Sequence, residues 1–283
     1  MVTVGIVSPG FMGAGLGGAL RAGGARVVAT TAGRSPRTGR LAADARLELL
    51  PGLTEVIEAA DVVLSVTPPG QAVTAAQRIA EAARAAGAAP IVADLNAVSP
   101  ATMAKIADAL AGLPVVDGSI SGPPPSARPG ARIYLSGPTA AEVAALPWDS
   151  QVEPIVLDGA GLGSASALKM CTASVYKGLT ALVTQAMRTA DRYDVLDHVL
   201  ADLARNDLDN STAVAVSATK AHRFVDEMRE IAATQAGAGL TPALFEAFAA
   251  VYADVAGTEL AQGDPESADR SPDPAEIVRR LSR

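Results

Sequence analysis

Residues 2–35 read VTVGIVSPGFMGAGLGGALRAGGARVVATTAGRS, and this stretch decides the fold class. An apolar run from Val2 to Val7 stops at Ser8-Pro9-Gly10, small helix-compatible residues follow over 13–22, and a second β pattern covers 26–31. This order predicts strand, turn, helix and strand, which is the βαβ unit of a parallel sheet. The chain is therefore predicted to be an α/β protein with a helix N-terminus directly after its first strand.

The turn after the first strand predicts a phosphate site. Unpaired N–H groups and the positive end of the helix dipole face such a turn, and glycines allow the ligand to approach the backbone closely. The fingerprint G-x-G-x-x-G is present with serine at its first position. We expect the pyrophosphate of a dinucleotide to contact Ser8, Gly10, Phe11, Met12 and Gly13. The alternative is a glycine-rich turn with a purely structural role.

The end of the second strand indicates which dinucleotide binds. An NAD site usually offers an acidic side chain there for the ribose 2′-OH, whereas a 2′-phosphate requires arginine. The segment contains Gly33, Arg34 and Ser35, and the first acidic residue after it is Asp44. A bidentate arginine beside a hydroxyl favours NADP. The alternative is that Arg34 belongs to a solvated basic loop.

Composition limits the possible partners. The chain has 283 residues, is 49% hydrophobic and carries a formal net charge of −7. Such a charge argues against a nucleic-acid or anionic-membrane surface. The single cysteine, Cys171, excludes an internal disulfide framework, and no long apolar run or leader-like segment is evident. We expect a cytoplasmic protein without a membrane or nucleic-acid partner.

Short apolar strands continue to alternate with alanine-rich helices up to about residue 160. This pattern predicts a Rossmann-type, doubly wound parallel sheet over 1–160, with ligand contacts at the carboxyl ends of its strands. A further β pattern at 132–135 and 154–157 predicts a hairpin-like edge. The predicted elements are strand 61–67, helix 70–86, strand 91–95, helix 100–110 and strand 115–116.

The pattern becomes helical after Gly163. Residues 161–260 predict an all-α domain, with breaks near 206–210 and 237–242. Its first helix is expected to run about 25 residues from Ser164 or Ser166 as N-cap. Residues 261–283 form a polar tail, predicted to be a mobile linker over 262–274 and a short last helix over 275–281.

Lys169 is the candidate proton-transfer residue. It follows the start of the first long helix by about one turn, among apolar and small residues, and burial there disfavours the charged form and lowers its pKa. The alternative is a lysine that reaches solvent at the domain edge. His198 and His222 are the only histidines, and neither has a partner at metal-ligand spacing, so no metal site is predicted. Cys171 has no nearby histidine and is not predicted to be a nucleophile.

The combined pattern resembles the β-hydroxyacid dehydrogenases, which include 3-hydroxyisobutyrate and 6-phosphogluconate dehydrogenases. The resemblance rests on the turn over 10–13, on Ser121-Gly122 after a strand ending at Asp117, and on Gly163 followed by Lys169. It extends to about residue 256. Motifs at 33–35, at 136–138, at 168–170 with 176–178, and at Arg223 with 227–231 are similar to those of an uncharacterised bacterial branch that has its own C-terminal helical domain.

The resemblance implies hydride transfer between NADP and a hydroxyl- or amine-bearing carbon, with Lys169 as general acid/base. It also implies a homodimer. The resemblance and the strand ends together assign a cofactor role to Thr67, Pro68 and Asn96. Candidate substrate residues are Ser121, Gly122, Lys177 and Arg223.

Two features of the helical region leave the interpretation open. Ala173 stands where the resembling dehydrogenases carry asparagine, so a non-catalytic NADPH-binding protein remains an alternative. Imine reduction is another alternative, but the related family that reduces imines usually has Asp or Tyr at the lysine position, so Lys169 argues against it. Arg223, Glu227 and Glu230 have helical spacing, which indicates a salt-bridged exposed face or the border of a substrate cleft.

Overall fold

A computed structural model describes residues 1–269 and 273–282. Its first unit, Met1–Met170, is built on one eight-stranded sheet with the order β3-β2-β1-β4-β5-β6-β7-β8. All neighbouring strands are parallel except β6 and β7. The strands are β1 Thr3–Val7, β2 Arg26–Ala29, β3 Glu48–Leu49, β4 Val62–Ser65, β5 Ile91–Asp94, β6 Val115–Ser121, β7 Ala131–Ser136 and β8 Val152–Val156.

Helices connect these strands and cover both faces of the sheet. Alternate strand residues point to opposite faces, so Val62 and Leu64 join one apolar cluster while Val63 joins the other. The predicted doubly wound α/β architecture is therefore confirmed. The helices of this unit are α1 Phe11–Ala22, α2 Pro36–Asp44, α3 Leu53–Ala59, α4 Ala72–Ala86, α5 Pro100–Ala109 and α6 Ala140–Ala144.

The far edge of the sheet differs from the prediction. The expected hairpin between 132–135 and 154–157 is wrong, because β7 and β8 run parallel with α6 between them. The antiparallel pair is β6 with β7, joined by the segment 122–130. The sequence pattern ended β6 at Val116 because Asp117, Gly118 and Ser119 are poor strand formers. Pairing with β7 nevertheless continues the strand to Ser121.

A long helix, α7 Ser164–Arg192, leads out of the first unit and into the second, which comprises Cys171–Arg283. The second unit is helical over its described residues, as predicted. Phe224 of α10 and Tyr252 of α11 pack edge to face with ring centroids 5.2 Å apart. The remaining helices are α8 Leu196–Ala204, α9 Ser211–Ala218, α10 Ala221–Gly237, α11 Ala243–Ala256 and α12 Pro274–Leu281.

The C-terminal segment packs through α12, which occupies the position of the predicted last helix. Its apolar side chains Ile277, Val278 and Leu281 are buried, and the Asp273 carboxylate accepts a hydrogen bond from the N–H of Ala275 at its N-terminus. Of the predicted mobile linker, residues 270–272 lie outside the described residues. None of the described helices combines the length and low polarity needed to cross a lipid bilayer.

Candidate functional site

The glycine-rich turn places the first residues of α1 at the carboxyl end of β1. Ser8 has φ +70°, a left-handed conformation in which glycine is the usual residue. The N-cap is Gly10, where an added Cβ would have no atom within 4 Å. At Gly13 an added Cβ would lie 2.5 Å from the carbonyl oxygen of Ser8. Gly13 is thus required by packing, whereas Gly10 leaves space beside a helix N-terminus.

A cleft of about 480 Å³ lies beside this turn, at the carboxyl ends of β1, β2 and β4. Its lining includes four of the predicted cofactor residues, namely Ser8, Gly33, Arg34 and Thr67. The other predicted cofactor residues are not part of its lining. The cleft is lined by Val7, Ser8, Thr30, Ala32, Gly33, Arg34, Leu53, Thr67, Gln71, Thr74, Ala75 and Arg78.

Helix α4 and the turn before it contribute a wall of the cleft that was not predicted from the sequence. Gln71, Thr74, Ala75 and Arg78 line the cleft, and their i, i+3, i+4, i+7 spacing places them on one helical face. This spacing was readable in the sequence, but it resembles an ordinary solvated face. Arg78 adds a second exposed cation to the cleft that contains Arg34.

The loop after β2 combines a basic side chain with a helix N-terminus. Gly33 has φ +69°, and the N–H of Arg34 donates to the carbonyl of Thr31, which closes the turn. Ser35 is the N-cap of α2 and its hydroxyl accepts a hydrogen bond from the N–H of Thr38. An anion beside Arg34 would therefore also be close to the positive end of the α2 dipole.

Asn96 belongs to a buried network at the ends of β4 and β5. Its side-chain oxygen accepts from the N–H of Thr67 at 2.5 Å, and its amide nitrogen donates to the Asp94 carboxyl at 2.7 Å. Asn96 therefore fixes the backbone after β4. The Thr67 hydroxyl is buried without a hydrogen-bond partner in the described part of the chain, and Thr67 also lines the neighbouring cleft.

Lys169 is held against the end of β6. Its Nζ atom donates to the carbonyl oxygen of Ile120 at 2.7 Å, and the side chain is partly buried. Burial lowers the pKa of the Lys169 ammonium from its ordinary value. A larger fraction of Lys169 is thus in the neutral amine form near neutral pH than for a solvated lysine, and only the neutral amine can accept a proton.

The start of α7 is capped by residues of the sheet. The buried Asp117 carboxylate accepts from the N–H of Gly163 at 2.9 Å, from the N–H of Ser166 at 3.1 Å and from the Ser166 hydroxyl at 2.6 Å. The Ser136 hydroxyl donates to Asp117 at 3.0 Å and accepts from the N–H of Ala165 at 3.1 Å. The prediction that Ser164 or Ser166 is the N-cap is therefore wrong.

The end of β6 also contains the predicted substrate loop. Ser121 is the last residue of β6, is partly buried and pairs in register with Arg132 of β7. Gly122 has φ +115°, and an added Cβ would lie 3.0 Å from the carbonyl oxygen of Gly130. The positive φ therefore favours glycine here, and an added Cβ would also crowd the Gly130 backbone. A substrate role for both residues stays a prediction.

Lys177 and Arg223 belong to the second unit. Lys177 forms an ion pair with Glu227, and its ammonium lies 4.4 Å from the centroid of the Phe224 ring. The Lys177 carbonyl oxygen accepts from the Tyr252 hydroxyl at 2.7 Å. The expectation of an exposed face is wrong at Glu227, which is buried, and its ion pair with Lys177 offsets part of the cost of burying the carboxylate. Arg223 is partly buried on the same helix.

Cys171 and Ala173 both belong to α7. Cys171 is exposed, at the start of the second unit, and Ala173 is buried farther along α7. Within residues 1–269 and 273–282, no three His, Cys, Asp or Glu side chains are grouped so that they could hold a metal ion.

The chain matches two protein-family models. Residues 3–147 match the NAD binding domain of 6-phosphogluconate dehydrogenase, and residues 190–255 match a domain of unknown function, DUF1932. No curated protein matches the chain. The first model covers β1 to α6, which includes the glycine-rich turn and the adjacent cleft.

Solved structures resemble the chain over nearly its whole length. The conserved protein MTH1747, described as of unknown function and structurally similar to 3-hydroxyacid dehydrogenases, is 27% identical over 90% of this chain and 96% of its own, with a TM-score of 0.65. A conserved hypothetical protein from Sinorhizobium meliloti 1021 is 26% identical over 99% and 97% of the two chains, with a TM-score of 0.62.

A Mycobacterium tuberculosis 3-hydroxyisobutyrate dehydrogenase, solved with L-serine, has a TM-score of 0.69 over 100% of both chains. Its 18% identity supports a shared fold. The matched dinucleotide-binding model covers more than half of the 283 residues and contains the turn and cleft described above. The chain therefore belongs to the family that carries the NAD binding domain of 6-phosphogluconate dehydrogenase.

Proposed function

We propose that the chain is an NADP-dependent oxidoreductase that acts on a small hydroxy acid or on its keto or semialdehyde form. The observation that carries this proposal is the partly buried Lys169, hydrogen-bonded at the carboxyl end of the sheet in a chain whose family binds a nicotinamide dinucleotide. Lys169 is the proposed general acid/base. The bound nicotinamide would supply or accept the hydride.

The proton chemistry follows from the state of Lys169. In oxidation, the neutral amine accepts the substrate hydroxyl proton at Nζ as the carbon gives up its hydride. In reduction, the ammonium returns that proton to the oxygen. Burial lowers the pKa of Lys169 and so raises the fraction of neutral amine near neutral pH.

The preference for NADP rests on the cleft beside β2. Arg34 lies at its edge next to the N-terminus of α2, and Arg78 enters from α4. A 2′-phosphate would pair with guanidinium groups through charge-assisted hydrogen bonds, and this segment offers no carboxylate for a 2′-OH.

The remaining parts of the proposal concern the substrate and the assembly. Ser121, Gly122, Lys177 and Arg223 are the proposed anchors of an acidic substrate. We also propose a cytoplasmic homodimer, as the resemblance implies.

The decisive experiment follows NADPH oxidation by its absorbance, with a panel of small keto and semialdehyde acids, each with and without added amines. We expect amine-independent turnover, and Lys169→Ala lowers kcat at least about a hundredfold because it removes the general acid. The matched control is Lys105→Ala, since Lys105 is an exposed lysine of α5. Its turnover should equal that of the wild type.

Two outcomes contradict the proposal. Turnover that requires an amine would assign imine reduction instead. Tight NADPH binding without turnover on any acid, unchanged by Lys169→Ala, would favour a cofactor-binding protein without catalysis.

A further inference from the structure

The N-terminus of α7 lacks a capping side chain of its own, because the residue before Ser164 is Gly163. The first four N–H groups of a helix have no intrahelical partner and must be satisfied elsewhere. Gly163 and Ser166 donate to Asp117, Ala165 donates to Ser136, and Ser164 donates to the carbonyl of Gly161. Two buried side chains from β6 and β7 therefore replace the usual local cap.

Strand β6 also contacts Lys169, which belongs to α7. Asp117 and Ile120 both belong to β6, and Ile120 accepts the hydrogen bond from Lys169. Strand β6 thus contacts α7 twice, once at its first turn through Asp117 and once at Lys169 through a backbone carbonyl. The position of Lys169 relative to the strand end depends on where the first turn is fixed.

Charge strengthens this attachment. A carboxylate at a helix N-terminus interacts favourably with the helix dipole, and hydrogen bonds to a charged acceptor are stronger than neutral ones. Asp117, Ser136 and Ser166 are fully buried, so water cannot replace a lost hydrogen bond there without rearrangement.

We propose that Asp117 is the positioning residue for Lys169, holding the first turn of α7 so that the amine stays at the Ile120 carbonyl. This inference rests on the proposed function in one respect, which is that Lys169 is the general acid/base. In this proposal Asp117 acts on the reaction through Lys169.

Asp117 could alternatively affect Lys169 through its negative charge. The two possibilities predict opposite changes in the Lys169 pKa when the hydrogen bonds between Asp117 and α7 are weakened. Loss of positioning releases Lys169 toward solvent and raises its pKa, whereas loss of a nearby negative charge lowers it. Asp94, the partner of Asp117 in the β5–β6 register, has its pKa raised to about 7 by burial, so its own ionisation overlaps the start of the lysine titration. The variants are therefore compared above about pH 8, where Asp94 is mostly ionised.

The experiment measures the Lys169 pKa by NMR titration of 13Cε-labelled lysine over about pH 7 to 11. The chain has four lysines, 105, 169, 177 and 220, so Lys169→Arg assigns the signal. The main variant is the double substitution Ser136→Ala with Ser166→Ala. It removes both hydroxyl contacts to Asp117 and leaves the charge of Asp117 in place.

The matched control is Ser119→Ala. Ser119 is a buried residue of β6 whose hydroxyl has no hydrogen-bond partner within the described residues, so its removal costs no contact to α7. We expect the double variant to raise the Lys169 pKa by about half a unit or more and Ser119→Ala to leave it unchanged. Asp117→Asn removes the charge together with part of the helix contacts, so it tests the direct charge effect.

An unchanged Lys169 pKa in the folded double variant would overturn the proposal, even if its melting temperature falls. A lowered pKa in Asp117→Asn alone would also overturn it in favour of a direct charge effect. The titration requires no substrate. Failure of the turnover assay therefore leaves this test intact, and failure of this test leaves the oxidoreductase proposal intact.

Discussion

Two glycines of the turn after β1 have different physical roles. Gly13→Ala places a Cβ 2.5 Å from a backbone oxygen, so we expect it to lower the free energy of unfolding by about 1–3 kcal/mol. Gly10→Ala meets open space, so stability should change by less than about 0.5 kcal/mol. Urea unfolding of both variants checks these values.

The Gly10→Ala variant also tests ligand contact, because its effect on packing is expected to be small. The space at Gly10 is where the pyrophosphate is expected, so Gly10→Ala should weaken NADPH binding about tenfold or more. Isothermal titration measures the affinity. Wild-type affinity in Gly10→Ala would show that the phosphates bind elsewhere.

Arg34 determines the cofactor preference in our proposal. Arg34→Ala should raise the Kd for NADPH about 10- to 100-fold, because a hydrogen-bonded charge pair is lost, and change the Kd for NADH by less than about threefold. The control is Arg40→Ala, an exposed arginine farther along α2. Equal losses for both cofactors would reject a 2′-phosphate contact by Arg34.

Single residues were predictable where local sequence determines their role. The positions of Gly13 and Arg34 follow from the βαβ pattern, in which the turn and the end of β2 have fixed places. The role of Asp117 was not visible, because its partners at 163 and 166 lie 46 and 49 residues away in sequence. Contacts at such separation leave no periodic signal.

At the scale of elements, the ends of β5 and β6 bring two buried carboxyl groups side by side. Asp94 and Asp117 are partners in the parallel register. Asp117 accepts hydrogen bonds from residues of α7 and β7, whereas Asp94 forms hydrogen bonds with Asn96 and Ser65. Burial is the main cause that raises the pKa of Asp94 to about 7, and the neighbouring Asp117 adds to it.

This raised pKa makes stability depend on pH in a defined direction. Native Asp94 keeps its proton up to about pH 7, whereas the unfolded carboxyl loses it near pH 4, so the native state binds more protons between these values. The free energy of unfolding contributed by Asp94 should therefore fall as pH rises from about 4 to 7, by up to about 1.4 kcal/mol per unit.

Urea unfolding across this range compares the wild type with Asp94→Asn, which cannot titrate. The control is Asp108→Asn, an exposed acid of α5. Parallel stability curves for the wild type and Asp94→Asn would contradict a protonated Asp94. A decline with pH that is absent only in Asp94→Asn would support it.

At the scale of the whole molecule, the two-part organisation was predictable because strand-helix alternation changes to continuous helical patterns after Gly163. The location of the division was not, since α7 is one uninterrupted helical pattern across Met170 and Cys171. The predicted homodimer stays a prediction. Exposed apolar side chains of α7, including Val175, Tyr176 and Leu182, give the second unit a surface suited to association.

The cap of α7 has a consequence for recombination between the two halves of such proteins. Because Asp117 and Ser136 hold the helix start, a recombination joint placed at Gly163 would separate the first turn from its supports. A joint after Met170 would keep the lysine with the sheet that aligns it. Natural or engineered chimeras should therefore inherit Lys169 with the nucleotide-binding half and vary the helical half independently.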